Sequence, residues 1–356
     1  MIKDIQKHIE LVDGAIAWAN EFGKDSFPFE SFKNYRRKLK KIKNALEENC
    51  SAAAYGESQV GKSYLMSSLL SSPDAPFVIT HGGRDYSFID ELNPSGGNNA
   101  KVESTGVITR FTVAADKNLM SDFVKVRNLS VVDIILLLTN SYYNDIKINQ
   151  DTTLRYDEIN QHLESMSNLW SSHIVQQTEI DEDDIKDIAE YIHDVIGNAA
   201  VGVNQSSFCR IVSPVIKYVS CEKWVDVFCL LWNKNGEISH MFSVLINEYK
   251  KIGFNTDVYI PFDAVLREKG TILKIQWLDT VCGVQVDTGN DDLYTDIYDI
   301  NGNVIARDFG KGYLSALIAE ITFELPENIV KDRPFLKKMD LLDFPGARGK
   351  KTRSEE

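Results

Sequence analysis

Cysteine and histidine are scarce in this chain of 356 residues. The five cysteines are odd in number and lie far apart: Cys50, Cys209, Cys221, Cys229 and Cys282. This spacing fits neither a disulfide framework nor a zinc site, and the histidines show no metal-ligand spacing either. Because free thiols persist in reducing compartments, we expect a cytoplasmic protein.

Long apolar runs and an excess of positive charge are also missing. Residues 131–138 are apolar, but they contain Asp133 and fall far short of the roughly 20 residues that span a bilayer. The N-terminus is amphipathic and charged, unlike a secretory signal. The net charge of −13 argues against nucleic-acid binding. The cationic run 35–43 favours a solvated helix face, while peripheral membrane contact and secretion as an effector stay open.

The most informative feature is an octet that fits the pattern G-x-x-x-x-G-K-[ST] in full. It consists of Gly56, Glu57, Ser58, Gln59, Val60, Gly61, Lys62 and Ser63. A small apolar run, 50–55, precedes the octet as a strand would, and an apolar run with helical spacing begins at Tyr64. Strand, loop and helix are the context of a phosphate-binding loop. A glycine-rich turn before a helix is the structural alternative.

Each part of the octet has a role in holding a nucleotide. Backbone N–H groups of such a loop form an anion nest, and the start of the following helix adds its positive end. Lys62 is predicted to reach the β- and γ-phosphates, and the hydroxyl of Ser63 is predicted to bind Mg²⁺. We therefore predict nucleotide contacts for the whole segment from Gly56 to Tyr64.

A second motif, residues 339–346, is an apolar strand that ends in Asp343 and continues as Phe-Pro-Gly. A carboxylate at the tip of a strand beside a phosphate loop holds Mg²⁺, directly or through water. With the spacing Asp-x-x-Gly, the N–H of Gly346 is predicted to contact the γ-phosphate and to open a switch segment. An ordinary β-turn is the alternative, because Pro and Gly favour turns.

The third motif, residues 104–113, reads as a flexible lead-in followed by a strand. Thr109 is a candidate to complete the Mg²⁺ shell and to sense the γ-phosphate, although Thr and Val also simply favour strands. Arg110 and Arg348 are candidates for phosphate contact or for plain surface charges.

Together the three segments resemble the dynamin-type large GTPases. That family has a phosphate loop, a Gly-[Ile/Val]-Val-Thr-Arg switch and a Val-Asp-Leu-Pro-Gly segment. Residues 106–110 match the switch, and residues 342–346 match the last segment with one Leu-to-Phe change. The resemblance implies GTP or GDP with Mg²⁺, and self-association or another protein partner. It also implies these site residues: Lys62 on the phosphates, Ser63, Thr109 and Asp343 around Mg²⁺, and Gly346 near the γ-phosphate.

Residues 92–97, 105–112 and 343–348 are more particularly similar to the SrfC-type virulence factors of bacteria, which carry a dynamin-like G domain. Two departures stand out. Dynamins usually place Gln and then Ser at the third and fourth octet positions, where they assist catalysis, whereas this chain has Ser58 and then Gln59. These two residues join Lys62 and Thr109 in the predicted catalytic set. The base-selecting Asn/Thr-Lys-x-Asp segment is not found after Gly346, so the preference for GTP over ATP follows from the resemblance alone.

We predict an α/β fold: a P-loop NTPase sheet of the G-domain type, truncated near residue 356, with N-terminal helices and a large α+β insertion. Within the insertion, residues 257–262 and 271–277 are predicted strands, and Asn301-Gly302-Asn303 marks a hairpin. The predicted domains are a helical brace (1–49), the first part of the GTPase domain with phosphate loop and first switch (50–114), a mainly helical insertion (115–255), a β-rich insertion (256–338), and the second switch strand with a disordered tail (339–356).

The predicted reaction is attack of water on the γ-phosphate of Mg-bound GTP, which a monomeric fragment is expected to perform slowly or not at all. Two alternatives stay open. One is an interaction scaffold in which the insertion binds a protein partner and the nucleotide site is regulatory or degenerate. The other is an ATPase that uses the same loop.

Overall fold

The chain divides into a helical pair, residues 1–50, and a larger α/β unit, residues 51–356. This division lies beside the predicted end of the helical brace, and the other predicted domain boundaries stay predictions. The computed structural model describes residues 1–24, 26–56, 61–72, 75–93, 107–113, 123–146, 153–170, 177–273, 280–283 and 292–345.

The helical pair consists of α1 (Ile2–Glu21) and α2 (Phe29–Glu47), which pack against each other. The buried positions of α1 recur at helical spacing: Ile9, Val12, Ile16 and Ala19. Gly23 adopts a left-handed backbone after α1, and Pro28 stands before α2, so these two residues flank the break between the helices. An ion pair of 3.1 Å between Arg36 and Asp13 links the two helices.

The α/β unit contains ten strands among its described residues. They are β1 (Ser51–Ala54), β2 (Val78–His81), β3 (Arg84–Ser87), β4 (Ile108–Thr112), β5 (Phe123–Asn128), β6 (Asp257–Pro261), β7 (Tyr294–Tyr298), β8 (Val304–Gly310), β9 (Ile318–Glu324) and β10 (Asp340–Asp343). Eight of them form one mixed sheet in the order β1-β10-β4-β9-β5-β6-β7-β8, while β2 and β3 form a separate antiparallel pair.

The α/β unit also contains α-helices, which are numbered here in chain order. They are α3 (Lys62–Leu70), α4 (Val131–Ser141), α5 (Tyr156–Trp170), α6 (Glu182–Tyr191), α7 (Val201–Gln205), α8 (Phe208–Val212), α9 (Trp224–Phe228), α10 (Gly236–Lys251), α11 (Lys311–Leu317) and α12 (Glu327–Asp332). α6 begins with a capping box, in which Asp181 accepts from the N–H of Asp184 and the Asp184 side chain accepts in return.

The three strands that carry the sequence motifs are consecutive in the main sheet. β1 pairs with β10 in parallel, and β10 pairs with β4 in antiparallel orientation. All three strands were predicted from the sequence and are confirmed. β1 stands at the edge of the sheet, with no strand on its other side among the described residues.

The insertion between the motifs contributes strands to this same sheet. β9 pairs in parallel with β4, and β5, β6, β7 and β8 extend the sheet by antiparallel pairing. The predicted hairpin is confirmed as β7 and β8, with Gly302 in a left-handed conformation and Asp299 accepting from the backbone of Asn301 and Asn303. The mixed α/β class therefore follows from the structure, and the division into a G domain and an α+β insertion stays a prediction.

The strands differ from the sequence-based expectation in two ways. Residues 271–273 form a turn rather than the start of a strand, with Thr271 fully buried, and residues 274–277 lie outside the described part of the chain. Conversely, β5 and β9 are strands that were not predicted. β5 alternates buried and half-buried residues, as a strand should, whereas β9 follows α11 without a loop, so one apolar run contains both elements.

A buried ion cluster joins β4, β9 and β10 on one face of the sheet. The Arg110 guanidinium donates to both carboxylate oxygens of Glu320, at 2.6 and 2.8 Å, and to Asp340 at 2.7 Å. The Thr112 hydroxyl donates to the other oxygen of Asp340 at 2.7 Å. These carboxylates raise the pKa of Arg110 against the opposing effect of burial, so the guanidinium stays charged.

We expect Arg110→Met to lower the free energy of unfolding by about 3–5 kcal/mol, because it leaves two buried carboxylates without their partner. Urea denaturation measures the change. Arg84→Met is the matched control, since Arg84 pairs with Glu91 at 2.8 Å but is 62% exposed. Such a surface pair contributes at most about 1 kcal/mol. Equal losses in the two variants would contradict the structural role of the cluster.

Candidate functional site

The parallel pairing of β1 with β10 brings the first and second motifs together. Ala54, the last residue of β1, is the Cα partner of Asp343, the last residue of β10. Because the strands are parallel, their carboxyl ends lie at the same end of the sheet. The chain leaves β1 towards Gly56 and returns at Gly61 to begin α3, which contacts both strands. The sequence motifs at the two ends of the α/β unit therefore meet at one place.

The start of α3 has the backbone that the octet requires. Gly61 is the N-cap and adopts φ 89° and ψ 24°, a left-handed conformation that residues with a Cβ rarely adopt. The Nζ atom of Lys62 donates to the carbonyl oxygen of Gly56 at 3.0 Å. This bond spans the loop from its first glycine to its lysine. The predicted residues Glu57, Ser58, Gln59 and Val60 lie outside the described part of the chain.

Ser63 and Asp343 lie close to each other. The Ser63 hydroxyl and the charge of Lys62 both act on the Asp343 carboxylate and favour its ionised form. Asp343 is 3% exposed. Burial raises the pKa of Asp343 above its ordinary value of 3.8, and the contacts from Ser63 and Lys62 oppose that rise. The structure thus brings together three side chains that the sequence predicted for one site.

One oxygen of this carboxylate has no hydrogen-bond partner in the structure: Oδ1 of Asp343 is buried and unsatisfied. A buried carboxylate in this situation must bind a proton or a cation. The donor set fits Mg²⁺, because carboxylate and hydroxyl oxygens are its preferred protein ligands and substrate phosphates supply further ligands. Among the described residues, no group of three or more His, Cys, Asp or Glu side chains could hold a metal ion.

Thr109 lies on β4 directly opposite Asp343 and is 1% exposed. Opposite residues in a sheet project from the same face, so Thr109 and Asp343 share the face on which α3 begins. Thr109 is part of a strand and not of a loop, and its role at the metal stays a prediction. Arg110 projects from the other face, where it binds Glu320 and Asp340. This engagement is a different role from the phosphate contact considered for it.

Three other predicted residues have different outcomes. Tyr64 lies in the first turn of α3 and is 67% exposed. Gly346 and Arg348 lie outside the described residues, so their contacts stay predictions.

Sequence reasoning missed Glu320 and Asp340, the partners of Arg110. Their signal was available, since both are carboxylates next to apolar residues of a strand, where a charge needs a partner.

The fold and the site define a mixed α/β protein with a lysine, a hydroxyl and a buried carboxylate gathered beside two parallel strands. Residues 23–355 match the family described as "Putative bacterial virulence factor", and the chain belongs to this family. The virulence-factor part of the sequence resemblance is therefore confirmed. A comparison with curated proteins gives no match. Of the helices that the structure describes, none combines the length and the hydropathy needed to cross a membrane.

We expect Asp343→Asn to raise the melting temperature of the ligand-free protein at neutral pH. The raised pKa of Asp343 means that the folded state holds this proton more tightly than the unfolded state. Stability from this group is therefore present below pH 3.8 and is lost as the pH rises through the higher pKa of the folded state. The asparagine variant carries no such charge.

Thermal melting from pH 4 to 8, with a chelator and without nucleotide, tests this expectation. The difference between variant and wild type should shrink towards the acidic end of the range. Asp332→Asn, at an exposed position on α12, is the control and should show no comparable trend. A variant that is less stable than wild type at neutral pH would contradict the cost assigned to the buried carboxylate.

Proposed function

We propose that this chain binds a Mg²⁺–nucleoside triphosphate at the start of α3 and, as the dynamin-type resemblance implies, hydrolyses GTP. One observation carries the proposal: the buried carboxylate of Asp343 has an unsatisfied oxygen and lies where the Ser63 hydroxyl and the charge of Lys62 act on it. The sequence motifs assigned these three residues separately to the metal and the phosphates. Their meeting in the fold is the arrangement that such a site requires.

The sheet supports the same proposal. Three motifs from distant parts of the sequence lie on three consecutive strands, β1, β10 and β4, of an eight-stranded sheet. The open end of a parallel pair, where a helix begins, is the usual location of a phosphate site in α/β proteins. The left-handed Gly61 turns the backbone into α3 there, so that the first N–H groups of the helix face the same region.

In this proposal Lys62 supplies positive charge, and Ser63 and Asp343 position the metal. The Lys62 ammonium donates to the Gly56 carbonyl, and a phosphate would offer it a stronger, charge-assisted bond. Ser63 and Asp343 would hold Mg²⁺, which would neutralise charge on the phosphates. A metal held by Asp343 would also satisfy its unsatisfied oxygen. Attack of water on the γ-phosphate would then depend on positioning and charge stabilisation.

GTP is the proposed substrate on the strength of the resemblance, with GDP as product, and ATP is the alternative. Thr109 is proposed as a further metal contact, and Ser58 and Gln59 as catalytic assistants. Self-association or a protein partner belongs to the same proposal, as does a bacterial, virulence-associated setting. The scaffold alternative is retained as one outcome of the experiment below.

We expect Lys62→Ala to weaken binding of Mg–GTP at least about tenfold, since the loop lysine makes a charge-assisted bond of about 1.5–3 kcal/mol to the phosphates. Calorimetric titration of wild type and variant with Mg–GTP and Mg–ATP measures it. Lys331→Ala, an exposed lysine on α12, is the control and should bind like wild type.

Equal binding by wild type and Lys62→Ala would reject the proposal. Preference for ATP would replace the GTPase with the ATPase alternative. Tight GTP binding without phosphate release would favour a switch or a scaffold over an enzyme. Ser63→Ala extends the same titration, because it should reduce affinity in the presence of Mg²⁺ more than in EDTA.

A further inference from the structure

The first turn of α3 presents an aromatic ring beside the candidate nucleotide site. Tyr64 follows Lys62 and Ser63 directly and is 67% exposed. The large tyrosines of the core, such as Tyr142, Tyr249 and Tyr259, are buried almost completely. A tyrosine ring left in water at the edge of a ligand site is available surface for that ligand.

The direction of this ring follows from its place in the helix. Ser63 reaches Asp343 on the sheet, and the buried residues Met66, Ser67 and Leu70 continue that face of α3 at helical spacing. Tyr64 is one position beyond Ser63, so it leaves the helix about 100° away, on the open side. Side chains of a helix lean towards its N-terminus, so the ring is directed towards the helix start.

The order of groups in a nucleotide makes this location informative. Lys62 and Ser63 serve the β- and γ-phosphates and the metal, while the α-phosphate, the ribose and the base extend away from them. A loop that contacts only phosphates leaves the base in water unless the protein offers it a surface. Tyr64 is the next residue along the helix, and its ring is large enough to receive a base by stacking.

Building on the nucleotide site proposed above, we propose that the Tyr64 ring is the platform on which the base of a purine nucleotide stacks. Stacking depends on the area of the π-face and not on hydrogen-bonding groups. The site therefore takes purine nucleotides in preference to pyrimidine nucleotides, and Tyr64 does not itself separate guanine from adenine.

The test compares four proteins: wild type, Tyr64→Ala, Tyr64→Phe and Tyr294→Ala. Tyr294 is a matched control, because it is 60% exposed and lies on β7, away from the motif-bearing strands. Each protein is titrated by calorimetry with Mg–GTP, Mg–ATP, Mg–CTP and Mg–inorganic triphosphate. The inorganic triphosphate reports on the phosphate site without any base.

Tyr64→Ala should weaken Mg–GTP and Mg–ATP binding about tenfold, in line with the measured strength of base–aromatic stacking. Its affinity for inorganic triphosphate should match that of wild type, and its preference for purine over CTP should disappear. Tyr64→Phe keeps the ring and should bind like wild type, as should Tyr294→Ala.

Two results would overturn this inference alone: unchanged GTP binding by Tyr64→Ala, or equal losses for GTP and inorganic triphosphate, which would indicate a disturbed loop. A wild-type protein that binds neither GTP nor inorganic triphosphate would reject the nucleotide site itself, and the inference with it. The inorganic triphosphate titration therefore separates the two failures.

Discussion

The parallel pairing of β1 with β10 is the constraint on which the candidate site depends. It sets Ala54 beside Asp343 and makes both strands end at the same edge of the sheet. Asp343 then lies near the start of α3, where the Ser63 hydroxyl and the charge of Lys62 act on its carboxylate. A slip of one residue in this register would turn the Asp343 side chain to the opposite face, because side chains alternate along a strand. The site thus depends on a backbone pairing between segments that are distant in sequence.

The Arg110 cluster supports that register from the opposite face of the sheet. Arg110 on β4 binds Glu320 on β9 and Asp340 on β10, so a single guanidinium connects three adjacent strands. Asp340 stands three residues before Asp343 on the same short strand. Displacement of β10 along β4 would break hydrogen bonds to two buried carboxylates. Charged groups on one face therefore oppose sliding of the strand that carries the functional carboxylate on the other.

The position of Asp343 lowers the stability of the folded protein. Asp343 is buried, has an unsatisfied oxygen and has a raised pKa, each of which disfavours the folded, ionised protein. A ligand that supplies positive charge removes that cost.

The insertion between the motifs extends the same sheet. β9 pairs with β4 on the side opposite β10, and β5 to β8 continue the sheet beyond β9. A large insertion within one sheet is compatible with intact pairing of β1, β10 and β4.

Local features of the sequence were enough for several elements. The strand before Gly56, the helix that begins at Lys62, the strand ending at Asp343, the α1–α2 pair and the Asn-Gly hairpin are confirmed, because capping, periodicity and turn chemistry act over a few residues. β9 was not predicted because its apolar run is continuous with α11, and 271–273 form a turn despite favourable strand residues. The candidate site residues Lys62, Ser63 and Asp343 were each predicted separately, through motifs.

The sequence by itself therefore determined the identity of the chemical groups. It also determined the local backbone that presents Lys62 and Ser63. The tertiary structure alone decided that the insertion joins the same sheet, that Arg110 binds carboxylates, and that Ser63 lies near Asp343. Those facts rest on strand pairing between segments hundreds of residues apart. Such pairing depends on the register and burial of the whole sheet, and no local stretch of chain encodes it.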